Sequence, residues 1–231
     1  MSKVSPSLYC ADSSRLNDQI QILEQAGAEC FHIDMMDAVY VPSLAFSIPE
    51  VQSVKQATNL PLDIHIMMVD PERVARKVIE LGAYSVNIHY EANNDVISVL
   101  ELIKSLGAKA GVVLNPETSV EVLTDDILRV ADAVQLMSVP PGECTKQAFI
   151  YETLQRIRQV KSKITATGSD TLIQVDGDIN FDNVKSVLEA GADMVVVGAA
   201  LFHGDLLDNI KRFKYMLGDS TQEIKRVGAQ H

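Results

Sequence analysis

VARKVIELGAYSVNIH, residues 74–89, holds a helix face, a helix exit and a buried strand in one short run. Val74, Val78, Ile79 and Leu81 recur at helical spacing. Gly82-Ala83 then ends the helix, since Gly takes the left-handed conformation without a side-chain penalty. Ser85–His89 follows as a strand-length apolar run. The unit begins again at once: Val96, Val99, Leu100, Leu102, Ile103 and Leu106 form the next face, Gly107-Ala108 the next exit, and Lys109–Leu114 the next strand. Working outward, Gly27-Ala28 and Gly191-Ala192 mark two further exits. Further strand-sized runs fall at Val4–Leu8, Cys30–Asp34, Leu62–Ile66, Ala133–Met137, Leu172–Val175 and Met194–Val197. Strands without polar faces, alternating with helices, specify a parallel sheet. About eight such units in 231 residues fit a closed barrel better than an open sheet. No Gly-x-Gly-x-x-Gly follows an early strand, which removes the main sign of a dinucleotide fold. The expectation is an α/β protein, a single-domain (β/α)8 TIM barrel over residues 1–217, with a polar tail over 218–231.

Composition narrows the function classes. A hydrophobic share of 47% supports one large core. The net charge of −11 argues against nucleic acid, whose phosphates need a basic face. A small anion is still admissible, because backbone N–H groups can bind phosphate on an acidic protein. The longest apolar runs, such as Met194–Val197, are strand-sized, so no membrane span is expected. Met1-Ser2-Lys3-Val4-Ser5-Pro6 lacks the apolar core of a secretory signal. Cys10, Cys30 and Cys144 are odd in number and scattered, which suits free thiols in a reducing cytoplasm.

In a barrel the chemistry gathers at the C-terminal ends of the strands. Read in order, those ends carry Ser7, His32 and Asp34, His65, His89, Asn115, Ser138 and Asp176. His32 and Asp34 are two apart and therefore share a face. Any one of His32, Asp34, His65 and Asp176 alone would be read as a satisfied core histidine or a helix cap. Four together at strand ends form an N2O2 set for one divalent metal, with Zn, Fe(II), Mn and Co all suited to imidazole and carboxylate. His89 is open between support for that site and packing. Asp37 is expected to cap the following helix rather than orient the second-strand loop.

Several of these segments, with others, resemble the ribulose-phosphate 3-epimerase family. They are Val4-Ser5-Pro6-Ser7-Leu8, His32-Ile33-Asp34-Met35-Met36-Asp37, Leu62-Asp63-Ile64-His65-Ile66-Met67, Ile88-His89-Tyr90-Glu91-Ala92, Gly111-Val112-Val113-Leu114-Asn115-Pro116, Leu136-Met137-Ser138-Val139 and Val175-Asp176-Gly177. They run in the family's order as far as Gly198-Ala199-Ala200-Leu201-Phe202. The resemblance implies a barrel of the ribulose-phosphate-binding type and a metal-dependent sugar-phosphate 3-epimerase, an isomerase of carbohydrate metabolism. It implies His32, Asp34, His65 and Asp176 as metal ligands, with Asp34 and Asp176 exchanging acid and base roles around a metal-stabilised enediolate. Ser7, His65, Met36, Met67 and Met137 would contact substrate, and the assembly would be a homo-oligomer, a dimer or larger.

Departures from the family cluster on its phosphate site. After the sixth strand the family reads D-P-G-F-G-G-Q, where this chain has Pro140-Pro141-Gly142-Glu143-Cys144-Thr145-Lys146-Gln147. Asp178 stands for a second Gly after Gly177, and Ala199 for Ser after Gly198. Ala38-Val39-Tyr40 replaces a Gly-His-Phe tendency. A phosphorylated ketose of the ribulose 5-phosphate or allulose 6-phosphate type would then be gripped through Gly142, Lys146, Gly177, Gly198 and Ala199. The alternatives are a differently phosphorylated or non-phosphorylated ketose, or a non-catalytic sugar-binding or regulatory barrel. Asp-x-Lys-x-x-Asp, the decarboxylase pattern of related barrels, is replaced by His32-x-Asp34-x-x-Asp37, which argues against decarboxylation.

Overall fold

Alternate residues of every strand face opposite ways, and here the two faces carry different chemistry. Val4, Phe31, Ile33, Leu62, Ile64, Val86, Ile88, Val112, Val134, Val175 and Val195 join one apolar core. Helix residues such as Leu23, Val54, Val78, Leu100 and Ile157 belong to the same core, so this face looks outward to the helices. The intervening residues Ser5, Asp63, Asn87, Gln135 and Gln174 are buried but polar, and line the barrel interior.

The computed structural model describes residues 3–142 and 147–218. Its strands are β1 (Lys3–Pro6), β2 (Phe31–Asp37), β3 (Leu44–Ala45), β4 (Leu62–Met67), β5 (Ser85–His89), β6 (Lys109–Leu114), β7 (Ala133–Met137), β8 (Leu172–Asp176) and β9 (Met194–Val197). Around them lie α1 (Leu16–Gln25), α2 (Ile48–Ala57), α3 (Pro71–Glu80), α4 (Val96–Ser105), α5 (Asp125–Val130), α6 (Thr153–Thr167), α7 (Val184–Ala190), α8 (Ala199–Phe202) and α9 (Leu206–Met216). The sheet runs β1-β9-β8-β7-β6-β5-β4-β2-β3, parallel except for the short β3. A single parallel bridge between Ser7 and His32 joins the two sides of the curl. This is the expected (β/α)8 barrel. The four Gly-Ala exits hold, with Gly27, Gly82, Gly107 and Gly191 all at positive φ.

Three expectations need correction. β2 continues to Asp37 because Met35 and Met36 keep register with Ile66 and Met67 of β4, whereas β1 stops at Pro6 and Leu8–Cys10 turn into a 3-10 helix. Asp37 caps no helix: its carboxylate accepts from the N–H groups of Val39, Tyr40 and Val69, each within 2.9 Å, and so orders the second-strand loop. Helix α2 is capped instead by Ser47, whose N–H donates to Glu50 Oε2 at 2.7 Å. Leu106 leaves the apolar face of α4 and is exposed beyond its last turn. Cys144, Lys146 and residues 219–231 of the expected tail lie outside the described residues. No helix among the described residues is long and apolar enough to cross a membrane.

The interior is tightly filled. A Cβ at Gly111 on β6 would stand 1.8 Å from Asn87 Oδ1, and Asn87 Nδ2 donates to Asp63 Oδ1 at 2.7 Å. Gly111→Ala is expected to cost about 1–3 kcal/mol through overpacking. Urea denaturation checks it, and an unchanged midpoint would mean that the interior has room.

Candidate active site and metal centre

β2, β4 and β8 bring four side chains to one point above the interior. Asp34 and His65 are register partners across β2 and β4, and Asp176 ends β8 beside Met137 of β7. One ligand atom from each of His32, Asp34, His65 and Asp176 lies within 4.8 Å of the others. His32 Nε2 stands 3.4 Å from Asp34 Oδ1 and 3.5 Å from Asp176 Oδ2. His65 Nδ1 stands 3.2 Å from Asp34 Oδ1 and 3.4 Å from Asp176 Oδ2. His32 Nε2 is buried, faces this centre and has no hydrogen-bond partner. A buried lone pair aimed between two carboxylates and a second imidazole fits a divalent cation.

The electrostatics of the cluster follow from its density. Burial works to lower the His32 and His65 pKa values, but the facing carboxylates of Asp34 and Asp176 outweigh it and raise both, that of His32 well above the ordinary range. Burial would likewise raise Asp34 and Asp176, yet the imidazoles hold both carboxyls below their usual range. His89 behaves oppositely: burial brings it down to about 4, with Glu91 only partly opposing, so its ring is neutral at pH 7.

A layer below, Asp63 anchors the site. Its Oδ2 accepts from His32 Nδ1 at 2.7 Å and from Gln174 Nε2 at 2.8 Å, while Oδ1 accepts from Asn87 and from the Ser85 hydroxyl. Burial opposes the charge, but these donors bring the carboxyl down to about 2. The bond to Nδ1 also directs His32 Nε2 at the cluster, the usual job of a carboxylate behind a ligating histidine. Sequence reading passed over Asp63, Gln135 and Gln174. A usable signal was present, since each lies two residues before a strand-end site residue and therefore on the same face.

Above the cluster opens a cleft of about 470 Å³. Its lining includes Ser7, Met36, Met67, Met137, Gly142, Gly177, Gly198 and Ala199, which brings together the described members of the expected substrate set other than buried His65. Ser7 Oγ donates to Asp34 Oδ2 at 2.6 Å. Gly177 has φ +122, and a Cβ there would meet the Val139 backbone nitrogen at 2.8 Å, so the chain can follow this path only as Gly. Asp178 also lines the cleft, but its Oδ2 accepts from Phe149 N–H at 3.2 Å and is tied to the loop after β7. Tyr9, Cys10 and Gln147 also line the cleft, though the sequence reading assigns none of them to the substrate set. Asn115 turns from the cleft: its Nδ2 donates to the Tyr40 hydroxyl at 3.2 Å.

Fold and site together define a (β/α)8 barrel with a two-histidine, two-aspartate centre at its mouth. A sequence profile of the Ribulose-phosphate 3 epimerase family matches residues 3–202. The chain is 40% identical over 203 residues to the ribulose-phosphate 3-epimerase of Bacillus subtilis, covering 87% of this chain and 93% of that protein. It is 38% identical to the enzyme of the same name from Aquifex aeolicus, covering 87% and 90%. Among solved structures, a phosphoribosyl anthranilate isomerase from Thermus thermophilus superposes with a TM-score of 0.63 at 13% identity, covering 94% and 98%, a likeness of fold alone. The chain belongs to the ribulose-phosphate 3-epimerase family, and is thus an epimerase, an enzyme of the isomerase class.

Proposed function

We propose that this protein interconverts the C3 epimers of a ketose phosphate of the ribulose 5-phosphate or allulose 6-phosphate type. One observation carries the reading. Asp34 and Asp176, on strands separated by β1 and β9, both present a carboxylate oxygen to the same pair of imidazoles under an open cleft. Inversion at a carbon beside a ketone needs a base on one face and an acid on the other. One carboxylate takes the C3 proton, and the other, protonated, delivers a proton to the opposite face. Turnover leaves the two protonation states exchanged, which suits one enzyme to both directions. Ser7 holds Asp34 through its hydroxyl, while Met36, Met67 and Met137 give the reacting carbon a soft, dry wall.

His32, Asp34, His65 and Asp176 would hold one divalent cation, with Zn, Fe(II), Mn and Co all suited to these donors. When bound it supplies Lewis-acid polarisation of the ketone oxygen. The far end of the cleft, at Gly177, Gly198 and Ala199, would take the phosphate on backbone N–H groups, with Lys146 as its cation.

Deuterium incorporation at C3 in D2O tests the reading with ribulose 5-phosphate, allulose 6-phosphate and the free ketoses. Exchange into one phosphorylated sugar is expected. Exchange into free sugars alone would discard the phosphate end, and none at all from metal-loaded protein would discard the epimerase reading. Lys146→Ala is expected to raise KM for the phosphorylated sugar far more than it lowers kcat. An unchanged KM would remove Lys146 from the anion site.

A further inference from the structure

Arg156 stands in the first turn of α6, and its half-buried side chain donates to three backbone carbonyls. Nη2 reaches the Asn115 oxygen at 2.7 Å and the Thr118 oxygen at 3.0 Å, both in the loop after β6. Nη1 reaches the oxygen of Met137, the last residue of β7, at 3.2 Å. Arginine suits this task, because its donors are fixed in one plane and it keeps its charge at any working pH. The loop side of the grip is itself held. Glu91 accepts from Asn115 N–H at 2.8 Å and from the Thr118 hydroxyl.

The Met137 side leads to the reacting centre. The peptide joining Met137 to Ser138 offers its oxygen to Arg156 and its N–H to the Asp176 carbonyl, at 2.8 Å. The buried Ser138 hydroxyl lies 2.6 Å from the Gly177 oxygen and 3.0 Å from that of Asp176. Asp176 is the last residue of β8, and Gly177 leaves the strand at φ +122. The ladder of β7 with β8 ends at the pair of Met137 and Asp176. The bonds from Ser138 therefore fix this strand end on its β7 side, while Val196 of β9 pairs with Asp176 on the other. A carboxylate at a strand end is aimed only as well as the peptide that carries it.

We propose that Arg156 and Ser138 are positioning residues that hold the Asp176 carboxylate and the Met137 wall in place through one shared peptide. Both act through backbone. The catalytic consequence rests on the functional reading above; the hold on the strand end stands on the contacts alone. An arginine that merely closed a gap between α6 and the barrel would leave turnover by the folded enzyme unchanged.

The test uses the full chain and two readouts. Arg156→Met keeps much of the side-chain stem but removes every donor. It is expected to lower kcat for C3 epimerisation about 10- to 100-fold, the loss that a small misplacement of a reacting group brings. KM should move by less than about threefold, since the substrate's binding contacts remain. The second readout needs neither metal nor substrate. In metal-free protein the Ser138 amide should exchange with D2O about tenfold faster in Arg156→Met than in wild type. Amides of β2, across the barrel, should not change. Arg156→Lys keeps a cation with three N–H donors and should recover part of both losses. Ser138→Ala is expected to lower kcat alone and to add little on top of Arg156→Met, because both act on one peptide. Unchanged Ser138 exchange, or a kcat within about twofold of wild type, would overturn the proposal, as would full additivity of the two substitutions. Where Arg156→Met does not fold, Arg156→Lys and Ser138→Ala are read in its place. If the wild type turns over no ketose, the epimerase reading falls, and amide exchange still decides this one.

Discussion

Asp176→Asn is expected to lower epimerase turnover by about 10²–10⁴ while leaving the barrel folded, the range a positioned acid–base group contributes. The amide occupies the same space, and its oxygen can still accept from Gln135 Nε2, now 3.1 Å from Asp176 Oδ2. What it cannot do is take up or deliver a proton on its face of the substrate. Metal content should be measured beside turnover, because the same substitution removes one negative charge from the centre. Turnover within tenfold of wild type, with metal retained, would end the two-carboxylate mechanism.

The second large effect concerns stability. Asp63→Ala is expected to cost about 3–5 kcal/mol, as removing one partner of a buried charge network does. It strips the acceptor from His32 Nδ1, Asn87 Nδ2, Gln174 Nε2 and the Ser85 hydroxyl at once, in a place water does not reach. The pH dependence has a definite sign. The folded carboxyl titrates near about 2, below its unfolded value of about 3.9. Its contribution is complete above the unfolded value and is lost as pH falls through the folded one. Urea midpoints of the wild type should therefore fall more steeply between about pH 4 and pH 2 than those of Asp63→Ala, which keeps only the decline due to the other depressed carboxyls such as Asp34 and Asp176. Matching midpoints for the two proteins at neutral pH would show that the network is dispensable.

The barrel was legible because its outward residues follow simple rules. Val74, Val78 and Gly82 announce a helix and its end, and Ser85–His89 announces the strand behind it. The four-residue centre was legible for the same reason, since strand ends are where a barrel places chemistry. What lay hidden was the support beneath. Gln135 and Gln174 sit within apolar runs and look like tolerated interruptions until the pairing of β7 with β8 sets them opposite each other, 3.1 Å apart. Asp37 was misread because its partners are backbone N–H groups, one of them at Val69 on another loop, and backbone donors leave no mark in a sequence. The contact of His89 with His65 depends on two adjacent strands being in register, with His65 opposite Asn87. Residue spacing within either strand does not specify it.

The closure of the sheet bears on how the protein comes into being on the ribosome. β1 is made long before its ladder partner β9, with Lys3 opposite Met194. On its other side it has only the bridge between Ser7 and His32. At about 5–20 residues per second, β1 waits on the order of ten seconds or more for that partner. Throughout that interval the Ser7–His32 bridge alone holds Ser7 beside Asp34. A nascent chain can therefore carry all four residues of the cluster before its frame is complete, and the frame closes in one late step when β9 pairs with β1.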